Sequence, residues 1–291
     1  SREIQTAASK TNAAAKRVTV FLKKVLNEKR IGHAGTLDPG AAGVLVVLLG
    51  RAARLSDYLM GHDKVYVAEL HFGCRTDTLD SYGACTARKQ TDRTRLAARL
   101  EAACKAFLGE QMQTPPMYSA IKVNGRRLYD IARSGGEVER AARLICVKSI
   151  EITGRAGDDW LLDISCSKGT YVRTLCNDIG EALGCGGCMS ALRRTGAGAF
   201  TLDGAVKIGE VQRLADEGRA EELLIPVDRL FKGTKKCTAS SETEKKIRCG
   251  NPVKTSLPDG EYRVYSAGGE FLMLGRVQRG IMKTVKSFFE V

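Results

Sequence analysis

The chain has 291 residues, 43% of them hydrophobic and 27% charged, with a net charge of +13 and a pI near 9.3. This length allows a large core and predicts two domains, while the positive charge favours a polyanionic partner, first of all a nucleic acid. No apolar run approaches the roughly 20 residues that span a bilayer, and the N-terminal residues lack the apolar stretch of a signal peptide. The composition therefore argues against a membrane or secreted protein, and we expect a cytoplasmic one.

Hydrophobic spacing predicts the secondary structure along the chain. Val18, Phe21 and Leu22 recur at helical intervals, whereas residues 64–72 alternate as in a half-buried strand. The predicted helices cover residues 13–26, 51–60, 91–108 and 170–183, and the predicted strands cover 64–72, 145–153, 160–166, 261–265 and 270–277. Because these elements follow one another without a regular βαβ repeat, the pattern indicates an α+β fold.

Two segments interrupt this pattern. Residues 125–143 are rich in Arg and Gly around the apolar anchors Leu128, Tyr129 and Ile131, which is typical of a mobile basic excursion. Residues 225–228 surround Pro226 and predict a domain boundary. The short strands after this boundary are separated by Ala267-Gly268-Gly269, a hairpin signal.

The ten cysteines are spread along the chain, and in a cytosolic protein we expect them to remain reduced. Cys185 and Cys188 form a single Cys-x-x-Cys motif without a second pair, whereas a tetrahedral zinc site needs four ligands. The histidines lie far from this motif in sequence. We therefore interpret its two thiols as small buried side chains near a turn and predict no metal.

The most informative segment is Gly32-His33-Ala34-Gly35-Thr36-Leu37-Asp38-Pro39-Gly40. Pro39 restrains its own φ and disfavours the helical region for Asp38, and the glycines allow another molecule to approach the backbone closely. The apolar run at residues 44–49 is expected to anchor this loop in the core. An isolated Asp-Pro is usually an ordinary turn, but a stiff loop on a buried element can hold a catalytic carboxylate in place.

Several ordered motifs carry a resemblance to a known family. They are the segment 32–83, which begins GHAGTLDPGAAGVLVVLLG, the segment 113–143, which begins QTPPMYSAIKVNGRRLYDIAR, and the sequence SKGTYVRTL at 167–175. Together they resemble the bacterial tRNA pseudouridine synthase B family, whose enzymes modify the T-loop uridine (position 55) of tRNA.

This resemblance implies an α+β pseudouridine synthase fold, with a central mixed, largely antiparallel sheet flanked by helices and a small C-terminal β-barrel like that of PUA domains. It places the catalytic domain at residues 1–230, with a basic RNA-binding excursion at about 116–144, and a PUA-like RNA-binding domain at 231–291. Small barrels of many kinds share this strand pattern, so the second assignment depends on the family likeness.

The implied reaction breaks the N-glycosidic bond of uridine, rotates the base and reattaches it through carbon. No redox change occurs, so we expect no cofactor, and the sequence contains neither a phosphate-binding Gly-Lys loop nor a dinucleotide fingerprint. The expected partner is the T-arm of tRNA; we expect a monomer with no required protein partner and no membrane association.

The resemblance also assigns candidate site residues. Asp38 matches the family's catalytic carboxylate, and Arg173 matches the guanidinium that favours its charged form. Tyr66 matches the active-site tyrosine, whose ring stacks on uracil and whose hydroxyl can donate a hydrogen bond or transfer a proton. His33 matches a histidine near the displaced base, although a core histidine is the alternative interpretation. Tyr171 and Leu192 match positions that line the uridine pocket, the latter on a shorter motif.

Phosphate contacts are expected from a dense group of cations in the basic excursion. Charged loops are often only solvated, but a cluster of one sign favours salt-dependent, shape-based binding to a bent RNA loop. The candidates for RNA-backbone contacts are Lys122, Arg126, Arg127, Arg133, Arg140 and Arg143.

The N-terminus departs from the family pattern. The family usually begins with an apolar strand and a Lys-Pro-x-Gly-x-Thr-Ser element, whereas residues 5–12 here read QTAASKTN and lack that Pro and Gly. The sequence therefore predicts either an altered first strand or a late start. Two other functions stay open: an RNA-guided synthase acting on ribosomal RNA, and a non-catalytic protein that binds or folds tRNA.

Overall fold

A computed structural model describes residues 2–8 and 15–289. The strands in chain order are β1 (Arg2–Ala8), β2 (Ile31–His33), β3 (Ala42–Leu49), β4 (Lys64–Phe72), β5 (Cys74–Thr76), β6 (Cys85–Arg88), β7 (Gly109–Gln113), β8 (Lys122–Val123), β9 (Arg126–Arg127), β10 (Arg143–Ala156), β11 (Asp159–Cys166), β12 (Gly187–Ala197), β13 (Phe200–Thr201), β14 (Val206–Lys207), β15 (Ile225–Pro226), β16 (Lys235–Thr238), β17 (Val253–Lys254), β18 (Gly260–Tyr265), β19 (Phe271–Gln278) and β20 (Ile281–Ser287).

The α-helices are α1 (Ala15–Val25), α2 (Ser56–Met60), α3 (Arg93–Ala106), α4 (Leu128–Arg133), α5 (Val172–Ala182), α6 (Ile208–Asp216) and α7 (Ser241–Arg248). Short 3₁₀ helices cover Gly50–Leu55, Leu202–Gly204, Ala220–Leu223 and Val227–Phe231. Local signals explain the ends of α3, because the Asp92 side chain accepts from the amides of Thr94 and Arg95 and the helix ends three residues before Gly109. Three of the four predicted helices are confirmed within a few residues, and the fourth, at 51–60, is a 3₁₀ helix followed by the short helix α2.

The main sheet is mixed and largely antiparallel. Its strands run in the order β14-β1-β3-β12-β4-β11-β10-β7, with the short strands β2, β13 and β15 paired beside β3, β12 and β1. β3 reads AGVLVVLL and is buried almost throughout, as expected for a central strand covered on both faces. β4 pairs with β11 and β12 and buries alternate residues from Ala68 to Phe72, which confirms the predicted alternation.

Two apolar cores cover the two faces of this sheet. On one face Leu22 of α1, Leu100 of α3 and Leu175 of α5 pack with side chains of β3, β4 and β11. On the other, Leu55 and Phe231 pack with side chains of the C-terminal sheet, among them Phe288. The central strands therefore have little freedom to move, and loops that begin on them are held firmly.

The second sheet has the order β16-β18-β19-β20-β17 and forms a curled half-barrel with its own apolar core. The hairpin β18–β19 turns through residues 266–270, as the sequence predicted. Arg51 donates to the carbonyl of Phe288 at 2.7 Å, so the edge of this sheet is tied to the 3₁₀ helix that follows β3.

Some elements were not predicted from the sequence. β1 pairs with β3 from Glu3 to Ala8, so a first strand is present despite its atypical sequence; the neighbouring element at residues 9–12 lies outside the described residues. β12 lies at the centre of the sheet although it contains two consecutive arginines. The basic excursion, expected to be mobile, contains two elements that were not predicted, the hairpin β8–β9 and the short helix α4.

Candidate active site

Asp38 lies in the loop that joins β2 to the buried strand β3. The loop is fixed at both ends by backbone hydrogen bonds, from Ala34 to the carbonyl of Val46 and from Ala41 to the carbonyl of Asp38. Leu37, next to the carboxylate, is buried in the core. The sequence prediction of a stiff loop on an apolar anchor is confirmed, and the Asp38 side chain remains about one-third exposed.

Gly40 allows a second loop to cover this one. Its φ of 81° lies in the left-handed region, and a Cβ at this position would come within 2.3 Å of the Tyr82 hydroxyl. Only glycine therefore permits the ring of Tyr82 to lie against the backbone beside Asp38. The loop 77–84, between β5 and β6, consequently forms one wall of the site.

Two nitrogens of one guanidinium hold the two oxygens of the Asp38 carboxylate. Arg173 donates from Nε to Oδ2 at 2.8 Å and from Nη2 to Oδ1 at 3.3 Å. This is the two-pronged geometry in which arginine binds a carboxylate most strongly. The Arg173 side chain is only 5% exposed and that of Asp38 is 34% exposed, so the pair lies at the boundary between the core and the surface.

Neighbouring oxygens fix the orientation of the Arg173 guanidinium. Nη1 donates to the carbonyl of Thr78 at 3.0 Å, Nη2 donates to the carbonyl of Tyr118 at 2.8 Å, and the Asp80 carboxylate lies 3.5 Å away. Arg173 lies in the first turn of helix α5, so its backbone is set by a buried helix. The cation therefore cannot rotate away from Asp38 without losing several contacts.

Tyr66 lies in β4, near enough to this pair for its phenol to be affected by the charge of Asp38. Burial raises the pKa of its phenol, the negative charge of Asp38 raises it further, and the guanidinium of Arg194 acts in the opposite direction. The hydroxyl therefore remains neutral and able to donate a hydrogen bond at physiological pH.

Tyr171 lies directly before α5, two residues from Arg173. Gln113 of β7 fixes its backbone, accepting from its amide at 2.8 Å and donating to its carbonyl at 3.1 Å. Burial raises the pKa of the Tyr171 phenol, and the charge of Asp38 raises it as well. The charge of Asp38 thus affects both tyrosines, which indicates that both phenols lie near the carboxylate.

Arg194 is a functional candidate that the sequence analysis did not single out. Its side chain is 1% exposed, and it donates to the carbonyls of Val44, Thr36 and Gly35 at 2.8, 3.3 and 3.1 Å. One buried guanidinium therefore joins β12 to the loop that carries Asp38. The signal was an arginine in an apolar context, but sequence alone does not reveal that it is buried.

His33 and Leu192 lie at the edges of this arrangement. Burial lowers the pKa of His33, and the charge of Arg194 lowers it further, so the imidazole is neutral at physiological pH. Its Nδ1 is a buried atom without a hydrogen-bond partner. Leu192 is 8% exposed and belongs to the same core as Leu37, against which Tyr66 packs.

The candidate RNA-contacting cations lie on the basic excursion and on the strand that follows it. Lys122 and Arg126 are exposed on the hairpin β8–β9. The guanidinium carbons of Arg127 and Arg133 lie 5.7 and 5.5 Å from the ring centroid of Tyr129 and form cation–π contacts with it. The other two differ: Arg143 is exposed at the start of β10, whereas Arg140 is half-buried and donates to the carbonyl of Pro115 at 3.2 Å.

Within the described residues, no group of three or more His, Cys, Asp or Glu side chains has an arrangement that could hold a metal ion. Cys185 and Cys188, the Cys-x-x-Cys motif, are both buried, and burial raises the pKa of both thiols, that of Cys188 to about 12.

Across the same described part of the chain, no helix is long and apolar enough to cross a membrane.

Solved structures identify the fold. The chain is similar to a protein in a Cbf5-Nop10-Gar1 complex, with a TM-score of 0.72 and 23% identity over 99% of this chain and 84% of that one. It is also similar to a chain of an H/ACA RNP bound to a substrate RNA containing 2′-deoxyuridine, with a TM-score of 0.71 and 21% identity over 99% and 85%. The fold is that of the pseudouridine synthases.

Sequence comparison gives the family. A model of the TruB family pseudouridylate synthase N-terminal domain matches residues 23–172, and one of the tRNA pseudouridylate synthase B C-terminal domain matches residues 173–232. The tRNA pseudouridine synthase B of Alkaliphilus oremlandii is 43% identical over 81% of this chain and 77% of its own length, and that of Clostridium perfringens is 39% identical over 94% of both. The chain therefore belongs to the TruB family of pseudouridylate synthases, which are isomerases.

Proposed function

We propose that the chain converts the T-loop uridine (position 55) of tRNA into pseudouridine, as a cytoplasmic monomer that needs no cofactor and no protein partner. The observation that carries the proposal is the two-pronged Asp38–Arg173 pair, with two half-buried tyrosines, Tyr66 and Tyr171, near enough to be affected by the charge of Asp38. The relatives named tRNA pseudouridine synthase B support tRNA as the substrate. The net charge of +13 supports binding to a polyanion.

The reaction is an isomerisation in which atoms and electrons balance within the nucleoside. The bond between N1 of uracil and C1′ of the ribose breaks, the base rotates, and a bond forms between C5 and C1′. The proton leaves C5 and one is gained at N1, so no oxidant or reductant is required. The protein must therefore supply a charged group at the sugar, a fixed orientation for the base and a path for the proton.

Asp38 acts at the sugar end of the nucleoside. Its carboxylate either bonds to C1′ or removes a proton from C2′ to give a glycal, and both routes require the ionised form. The guanidinium of Arg173 stabilises that negative charge as water leaves the cleft. The carbonyls of Thr78 and Tyr118 keep the guanidinium in place throughout.

The remaining pocket residues act on the base. Tyr66 stacks on uracil and donates a hydrogen bond from its neutral hydroxyl, while Tyr171 and Leu192 line the pocket. The target uridine leaves the stacked loop at a cost of a few kcal/mol, and the neutral ring of His33 occupies space beside it. An imidazole that is not charged suits this role, since stacking needs its flat face rather than its proton.

RNA is held by cations outside the pocket. The proposal assigns backbone contacts to Lys122, Arg126, Arg127, Arg133 and Arg143 of the basic excursion, with Arg140 supporting the base of that segment. It treats residues 1–230 as the catalytic domain and residues 231–291 as a PUA-like RNA-binding domain. The separate apolar core of the C-terminal sheet supports the second assignment.

The decisive experiment measures tritium release from an unmodified tRNA transcript labelled at C5 of uracil. We expect release by the wild type and none by Asp38→Asn, which keeps the size of the side chain and removes its charge. RNA binding by the variant, measured by filter retention, is expected to remain. Asp57→Asn, a matched change at an exposed carboxylate, is expected to retain the wild-type rate.

Each alternative predicts a different result. Equal release by the wild type and Asp38→Asn would refute the role of Asp38. Release only after a guide RNA is added would favour an RNA-guided synthase. Tight binding of tRNA with no release by the wild type would favour a protein that only binds or folds tRNA.

A further inference from the structure

Two thiols outside the proposed mechanism face each other on the hairpin β5–β6. The sulfur atoms of Cys74 and Cys85 lie 3.3 Å apart, and Cys74 donates to Cys85. Thr76 shares a strand face with Cys74 and pairs directly with Cys85, so both thiols emerge on the same side of the hairpin. Cys85 is exposed and Cys74 partly exposed, which leaves room for the small approach that a sulfur–sulfur bond requires.

The surroundings favour reaction at Cys85. Hydrogen bonds with Cys74 and Arg88 lower the pKa of the Cys85 thiol, whereas burial raises the pKa of Cys74. A thiolate reacts with oxidants and a thiol does not. The pair thus combines an accessible sulfur of increased reactivity with a second thiol at contact distance, the arrangement of an attacking and a resolving cysteine.

We propose that Cys74 and Cys85 are a dithiol that hydrogen peroxide oxidises to an intramolecular disulfide. The Cys85 thiolate attacks one oxygen of peroxide, the O–O bond breaks, and a sulfenic acid and one water form after protonation. The sulfur of Cys74 then attacks the sulfur of Cys85, the S–O bond breaks, and hydroxide leaves as water with the Cys74 proton. Two thiols lose two electrons in total, and peroxide is reduced to two waters.

The position of the pair connects it to the candidate active site. The chain between the two cysteines includes the loop 77–84, in which Thr78 and Asp80 contact the guanidinium of Arg173 and Tyr82 lies against Gly40. A disulfide between Cys74 and Cys85 closes the base of this loop and restricts its movement. The modification therefore acts on the wall of the cleft without altering a residue that contacts the carboxylate.

Tryptic mapping tests the proposal directly, because Arg75 separates the two cysteines. The protein is treated with hydrogen peroxide, quenched with catalase, alkylated with N-ethylmaleimide under denaturing conditions and digested with trypsin. We expect a linked product of peptides 65–75 and 76–88 that disappears after dithiothreitol. The link is expected before oxidation of Cys249, an exposed thiol in the C-terminal part of the chain.

Variants and controls separate the outcomes. Cys85→Ser is expected to abolish the linked peptide and Cys249→Ser to leave it unchanged, while both retain wild-type tritium release in reductant, which shows that they fold. The proposal would be overturned if Cys74 and Cys85 were still alkylated, and therefore still reduced, in a sample in which Cys249 is already oxidised. A disulfide link between peptide 65–75 and peptide 174–193 would also overturn it. Peptide 174–193 carries Cys188, the buried neighbour of Cys74.

Discussion

At the scale of single residues, the site depends on two arginines that have different tasks. Arg173 contacts the carboxylate of Asp38, while Arg194 contacts the backbone that carries it. Both are buried and donate to carbonyl oxygens, and Arg173 also pairs with the carboxylates of Asp38 and Asp80. Because the two side chains act at different distances from the reacting atoms, their substitutions should affect different measurements.

Replacing Arg173 by Lys should reduce catalysis far more than binding. Lysine keeps the positive charge, but one ammonium group cannot span both oxygens of Asp38 and also reach the carbonyls of Thr78 and Tyr118. We expect single-turnover tritium release to fall by about 10²-fold, the cost of a misplaced catalytic group, with unchanged affinity for tRNA. Arg99→Lys is the matched control and should retain the wild-type rate, and a similar rate in Arg173→Lys would contradict the two-pronged role.

Replacing Arg194 by Met should lower both stability and activity. The change leaves the carbonyls of Gly35, Thr36 and Val44 without their donor in the core, and we expect the free energy of unfolding in urea to fall by about 3 kcal/mol. Tritium release should fall as well, because the loop of Asp38 loses its fixed position. The exposed neighbour Arg193 provides the control, since Arg193→Met should change neither quantity. An Arg194→Met protein as stable as the wild type would show that the three contacts contribute little.

At the scale of elements, the sequence predicts a strand of the main sheet clearly when its residues alternate in burial, and less clearly when the strand contains a buried charge. The alternation of residues in β4 predicts a strand correctly because one face of this strand is more buried than the other. β12 was not predicted, because Arg194 looks like a solvent-facing residue until its three carbonyl partners are known. Gly43 illustrates the same limit: a Cβ there would lie 2.0 Å from the carbonyl oxygen of Arg194, a close approach that no local pattern reveals.

The candidate site shows a similar division. The stiff loop around Asp38 follows from Pro39 and the neighbouring glycines, which are local features. The contact of Asp38 with Arg173 joins residues 135 positions apart, so only the family resemblance could suggest it. The carbonyls of Thr78 and Tyr118 hold the Arg173 guanidinium, and the Gln113 side chain holds the backbone of Tyr171. These hydrogen bonds join distant segments through backbone groups, and neither a local pattern nor the resemblance indicated them.

Lys64, at the start of β4, gives this element a pH-dependent stability. Its ammonium group donates to the carbonyls of Met60 and His62, yet burial lowers the pKa of Lys64 to about 8. The unfolded chain keeps the ordinary value of 10.5. Between these two values the unfolded state therefore binds more protons, and stability from this group rises as the pH rises through 8.

The test compares urea unfolding of the wild type and Lys64→Met at pH 7.5 and pH 9.5. We expect the wild type to gain about 2 kcal/mol relative to the variant over this interval. Lys148→Met, a change at an exposed lysine whose pKa is raised by Asp63, should behave like the wild type. An equal pH response in the wild type and Lys64→Met would mean that Lys64 stays charged in the folded state.

At the scale of the whole molecule, the positive charge is not distributed evenly. On α6 and the segment after it, Arg213 and Arg219 are paired with Glu210, Glu217 and Glu222, so these cations are largely neutralised. The basic excursion instead presents Lys122, Arg126 and Arg127 to solvent beside few acidic groups. A long-range attraction for RNA should therefore come from the excursion and not from the net charge alone.

Salt dependence measures this difference. In a variant with Lys122, Arg126 and Arg127 all changed to Ala, we expect weaker binding of tRNA and a shallower plot of log K against log salt, by about 0.7 per lost phosphate contact. The single-turnover rate at saturating tRNA should not change, because none of the three cations contacts the Asp38 site. The matched control changes Arg213 and Arg219 to Ala and should leave the slope as in the wild type, since their charge is already balanced. An equal loss of tRNA affinity in both variants would show that RNA binding depends on the total charge of the protein. It would contradict a specific role of the excursion in RNA binding.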